Sequence, residues 1–243
     1  MQLNACLLKY AEAKGYEDGK SLRGDTTSTE TNIHYPADAS LLNDSVRVLT
    51  RIMNRLLSWT EVEFPSSDHH KRAKRKLFII NNSRKPRQKQ DAYLELIRVA
   101  EFTLGYAKRA LPILAEYKPT SEEFFEFEGL VAELNHYIPM VNTVIYQARE
   151  RIIEKREVPA SKKIVSLFEP ETDIISKGKR DTVFGHKLLL ASGKSSLILQ
   201  LTTLDGNPAD STLVEKLLDN HKSVYQVAPE QMALGGCFGS AKN

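Results

Sequence analysis

The sequence predicts an α/β fold in which a sheet-forming core is split by a helical insertion. Three observations point to it. Strand-like patterns stand towards both ends of the 243 residues, the long block between them repeats apolar residues at helical spacing, and glycines and prolines punctuate the joins.

The first region, residues 1–38, opens with a short helical pattern containing Leu7, Leu8 and Ala11 that stops at Gly15. It continues into LRGDTTSTETNIHYP, a threonine-rich stretch. Threonine is β-branched and favours an extended backbone, so a strand is expected there, ended by Pro36. The second region, residues 39–159, should be helical. Leu41, Leu42, Val46, Leu49, Ile52, Met53, Leu56 and Leu57 fall on one face, and Tyr93, Leu94, Ile97, Ala100, Leu104 and Ala107 repeat the pattern. Pro112 and Pro119 are expected to end that second helix. Thr120 followed by Glu123 matches a capping box for a further long helix, with Pro139 as a kink, and Phe124, Phe125 and Phe127 read as core packing. The third region, residues 160–243, changes period. KIVSLFE, TVFGHKLLLAS and SSLILQLTTLDG read as strands, with turn signals at Gly178, Gly193 and Gly206. A helix capped by Asn207 and starting at Pro208 should follow, then a short strand within residues 224–233.

Composition excludes several classes. At 41% hydrophobic and 27% charged residues the chain reads as globular, and no apolar run approaches the roughly 18–20 residues that cross a bilayer. The N-terminus lacks a basic-then-apolar export signal. Cys6 and Cys237 stand far apart with no CxxC spacing, which speaks against a disulfide scaffold or a zinc knuckle and for a reducing cytoplasm. Neither Ser-His-Asp order, HExxH nor GxGxxG occurs, and the Gly193-Lys194-Ser195 triplet lacks the glycine that a P-loop needs at 188, where Leu stands.

The net charge of +3 says little, but its distribution says more. Residues 69–90 contain no acid and hold Lys71, Arg72, Lys74, Arg75, Lys76, Arg84, Lys85, Arg87 and Lys89. Such a run is either a solvated segment or a surface for nucleic-acid phosphates, where Lys and Arg release condensed counterions without reading sequence.

Two stretches carry a family resemblance. GDTTSTETNIHYPADASLLNDSVRVLTR (residues 24–51) and KIVSLFEPETDIISKGKRDTVFGHKLLLASGKSSLILQLTTLDGNPADS (residues 163–211) resemble the DDE transposases of bacterial insertion sequences, close to the ISNCY group. The resemblance implies an RNase H-like mixed sheet interrupted by a large helical insertion after the first strand. In that lineage three carboxylates hold two Mg²⁺ or Mn²⁺ ions for DNA strand cleavage and joining. It implies Asp25 as the first carboxylate and metal ligand. It also implies DNA, in the form of transposon ends, as partner, with a possible homo-oligomer and a nucleoid-associated place in the cytoplasm. Where the family has its second Asp, before a Gly-Gly-like pair and an aromatic, the sequence is read with Leu234 in that place, ahead of Gly235, Gly236, Cys237 and Phe238. The third carboxylate, a Glu, would lie beyond Asn243, so the resemblance implies a copy truncated at both ends and, with Leu234 in the second place, an inactive one.

Other polar residues are weighed against this. Asp210 is expected to support its helix, while Asp205, Glu169, Glu171 and Asp173 are expected in solvated turns. His34 and His186 lie inside the matching stretches, and His34 is expected to be a hydrogen-bonded structural residue. Two non-catalytic alternatives stand beside the enzyme: a DNA-binding remnant, and a helical module that binds nucleic acid or acidic proteins through the basic segment.

Overall fold

The computed structural model describes residues 2–176 and 182–239, so the turn expected at Gly178 lies outside the described residues. The chain is of mixed α/β class and divides into two compact units. One is built from residues 2–32 and 172–239, the other from Ile33–Glu171.

The first unit holds a five-stranded mixed sheet. Its strands are β1 (Ser21–Glu30), β2 (Asp173–Ser176), β3 (Thr182–Ser192), β4 (Ile198–Leu204) and β5 (Gln231–Leu234), with α1 (Gln2–Ala13) before them and α6 (Val214–Tyr225) between β4 and β5. β3 is central. Along one edge it pairs antiparallel with β1, Asp25 opposite Leu190; along the other it pairs with β2 at its start and β4 at its end. β5 lies parallel to β1 on the far side, with Leu22 opposite Met232 and Gly24 opposite Leu234.

Alternation decides what each face does, because successive strand residues point to opposite sides. On β1, Leu22 and Gly24 are buried while Arg23 and Asp25 are exposed. Leu22 joins Leu189 and Ala191 of β3 in a core closed by Leu213, Val214 and Leu217 around the start of α6, and by Phe238. Gly24 has a packing role. A β-carbon there would lie 2.6 Å from Leu217 Cδ1 and 2.8 Å from Leu234 Cδ2, so any side chain would push α6 and β5 off the strand.

The second unit is helical, with α2 (Asp38–Trp59), α3 (His70–Asn82), α4 (Pro86–Glu116) and α5 (Phe124–Ile152). α2 packs against the other three, and α4 packs against α3 and α5. Its core takes the predicted stripes, including Leu42, Leu49, Ile52, Met53 and Leu56 of α2 with Ile97, Ala100 and Ala107 of α4. The capping box forms: Glu123 Oε2 accepts from Thr120 N at 2.9 Å, and Glu123 N donates to Thr120 Oγ1 at 3.3 Å.

Several expectations are corrected. KIVSLFE is not a strand, because side chains occupy its backbone groups. Gln147 bonds both the N–H and the C=O of Ile164 at 3.0 Å, and Ser166 Oγ accepts from Phe168 N and Glu169 N at 3.2 Å. Pro112 does not end its helix, which runs on to Glu116. An interior proline costs about 3 kcal/mol, and burial of Ala110 and Leu114 on either side offsets it. α6 starts at Val214 rather than Pro208, after a 3-10 turn at Asp210–Thr212. Asn207 turns its side chain to Ser176 O and Lys187 instead of capping. Of the phenylalanine cluster only Phe127 is buried, and Phe125 is 85% exposed. Asp173 also has a partner, its Oδ2 accepting from Gly206 N at 3.1 Å.

Candidate functional site

Asp25 projects from β1 on the sheet face opposite α6, at the boundary with β5. It lines a shallow cavity of about 240 Å³ with Arg23, Leu190, Ser192, Ser196 and Ile198. Its Oδ1 accepts from the following amide, Thr26 N, at 2.8 Å. The residue across from this carboxylate is Gly235. A β-carbon built on it would lie 3.2 Å from Asp25 Oδ1. Leu234 stands next to Gly24 in register, but its side chain reaches the other face and packs with the core under α6. The two positions differ by one residue and therefore by one sheet face. Strand parity carried this signal in the sequence: an apolar Leu234 belongs on the buried side, which leaves position 235 to meet Asp25.

Asp210 lies on the α6 face, away from Asp25. Its Oδ1 is 2.7 Å from Lys187 Nζ and its Oδ2 accepts from Thr26 Oγ1 at 3.0 Å. Lys187 is itself buried and also donates to Pro208 O at 2.6 Å. This pair fastens the segment before α6 to the sheet, which makes Asp210 unsuitable as a replacement ligand beside Asp25. The buried cation was not foreseen, since Lys187 follows His186 in a strand recognised by its apolar residues alone. Among the described residues, no group of three or more His, Cys, Asp and Glu side chains is placed to hold a metal ion.

In the second unit the basic segment folds as α3, the short link of residues 83–85 and the first turn of α4. Ala73 and Ile80 face the core. Lys71, Lys74, Arg75 and Phe78 recur at the three-to-four spacing of the opposite face, and all are exposed. Arg72 is paired with Glu95 of α4. Lys76 and Lys89 are half-buried, whereas Arg84, Lys85 and Arg87 are exposed. Among the described residues no carboxylate pairs with Lys71, Lys74, Arg75 or Lys76. Asp68, two residues before the helix, accepts at its Oδ1 from His70 N at 2.8 Å.

His34 Nε2 lies 3.5 Å from Asp44 Oδ2 within the helical unit, and Asp44 is held from its other oxygen by Arg47 at 3.0 Å. No helix among the described residues is long and apolar enough to cross a membrane. Compared with known protein families, curated proteins and solved structures, the chain matches none.

Proposed function

We propose that this chain is a DNA-associating protein of the DDE transposase lineage, gripping the phosphate backbone through α3 and the start of α4 without cutting strands itself. The observation that carries the reading is the outer face of α3, where Lys71, Lys74 and Arg75 stand exposed with no carboxylate to neutralise them. Cations on a rigid helix can meet successive phosphates without sequence readout. Support for an RNase H-like class comes from the mixed sheet with Asp25 exposed on its first strand, and from the helical unit that follows that strand directly.

The residues around Asp25 do not amount to a two-ion site. Such a site needs several hard oxygen ligands with charge enough to hold Mg²⁺ or Mn²⁺. Among the residues lining this cavity Asp25 is the one carboxylate, beside an arginine, and the neighbouring strand offers glycine at 235. Asp25 is therefore the remaining carboxylate of the lineage's ligand set, and alone it is too weak a ligand to hold two ions.

The test is duplex DNA binding across a salt series. Replacing Lys74, Arg75 and Lys76 with Gln should weaken binding about equally for unrelated sequences. It should also reduce the slope of log affinity against log salt by up to about 0.9 per lost phosphate contact. An unchanged slope would show that the segment is merely solvated and sink the reading.

A further inference from the structure

At the start of α3 three rings meet on the surface of the helical unit. The centroid of His69 lies 6.4 Å from Phe102 and 6.1 Å from Tyr106, both on α4, with planes tilted by 51° and 38°. These separations and tilts belong to aromatic rings in contact, with His69 and Tyr106 half-buried. Phe102 is 55% exposed, an apolar ring that the fold leaves in water. Cations flank it. Arg109 holds its guanidinium 4.9 Å from the Tyr106 centroid, and Arg98 is exposed one turn before Phe102. The carboxylates nearby on α4 are neutralised, Glu95 by Arg72 and Glu101 by Arg149 at 2.6 Å.

We propose that His69, Phe102 and Tyr106 form a stacking platform for an unpaired nucleobase, with Arg98 and Arg109 taking the flanking phosphates. The inference rests on the nucleic-acid reading above and adds a substrate form, a single-stranded segment. Every base presents a flat π-face that stacks on an exposed aromatic, and its phosphate satisfies the adjacent cations. A duplex keeps its bases stacked on one another and can meet only the cations. An acidic peptide would satisfy the charges but has no comparable use for the exposed Phe102 ring.

The experiment measures binding of a labelled single-stranded oligonucleotide and of its duplex to the full chain, for the parent protein, Phe102→Ala and Phe102→Trp. Since Phe102 is mostly exposed, the variants should fold normally, which circular dichroism checks. Phe102→Ala should weaken single-strand binding by about 5- to 150-fold, the range for losing one base-stacking ring, and leave duplex binding and the salt slope unchanged. Phe102→Trp should restore it. Single-strand binding insensitive to Phe102→Ala, or an equal loss for both forms, overturns the platform while leaving the α3 reading in place. A chain that binds neither form overturns both.

Discussion

A β-carbon at position 235 would stand 3.2 Å from Asp25 Oδ1, whereas the side chain at 234 lies on the opposite face, against the core that contains Leu217. The two positions therefore predict opposite outcomes for the same substitution. Gly235 has φ −57° and ψ 150°, a backbone that any residue adopts, so Gly235→Asp should fold. Two adjacent carboxylates repel, and a divalent cation relieves the repulsion. Gly235→Asp should therefore bind Mn²⁺ and gain thermal stability when it is added, and the gain should vanish in the double variant with Asp25→Ala. Leu234→Asp should instead place a charge against Leu217 and lose about 2–3 kcal/mol of stability with no response to Mn²⁺. A Mn²⁺ response at 234 and none at 235 would reverse the assignment of faces. The strand that carries Asp25 was legible from its threonine-rich run, whereas the sequence reading set Leu234 beside Asp25 and the structure sets Gly235 there, because in a strand one residue is a change of face.

At the scale of elements, periodicity located what packing alone decides. β3 coincides with TVFGHKLLLAS, and α2 follows its stripe of Leu and Ile. Periodicity failed where side chains took over backbone bonding, as Gln147 and Ser166 do along KIVSLFE, because the partner of such a bond is remote in sequence. The turn between β3 and β4 is a similar case. Gly193-Lys194-Ser195 looked like a fragment of a phosphate loop, but it wraps a buried carboxylate. Glu17, 1% exposed, accepts from Ser195 N at 3.1 Å and from Ser195 Oγ, and Lys194 pairs with Asp18 at 2.9 Å. Burial pushes the Glu17 carboxyl up, but the hydrogen bonds from Ser195, Asp18 and Lys194 outweigh it and leave it below its ordinary 4.5. The lowered value means that folding favours the ionised form, so this contribution is complete above about pH 4.5 and fades as pH falls through the folded value. Glu17→Gln should cost about 1–3 kcal/mol at pH 7. In denaturant titrations the gap between variant and parent should narrow as pH drops below 4.5. A gap independent of pH would mean that the turn is held by shape and not by charge.

For the whole molecule, the chain order matters more than either unit alone. The helical unit runs continuously from Ile33 to Glu171, and among the described residues its core shares none with the core of the sheet. Within the sheet unit, the end of β1 and the start of β2 lie near each other. Gly185 of β3 pairs with Glu30 on one side and Asp173 on the other, so the exit from β1 and the entry to β2 are two strand spacings apart. At about 4.8 Å per spacing that gap is on the order of 10 Å, which about four residues of flexible linker can cross. The α/β class and a central helical block were legible because the change of period from two to 3.6 marks them in the sequence. The nearness of the two ends was not, since it depends on which strands pair. Two separable folding units are therefore expected. A fragment covering residues 33–171 should show a helical spectrum and a single cooperative thermal transition. A chain in which a Gly-Ser linker replaces those residues should keep a cooperative transition of its own. The linker-joined sheet should keep the Mn²⁺ response of Gly235→Asp, and the helical fragment should keep the salt-dependent binding carried by α3. A fragment that is helical but melts without cooperativity, with its apolar core open to a hydrophobic dye, would show that the helical unit depends on the sheet to fold.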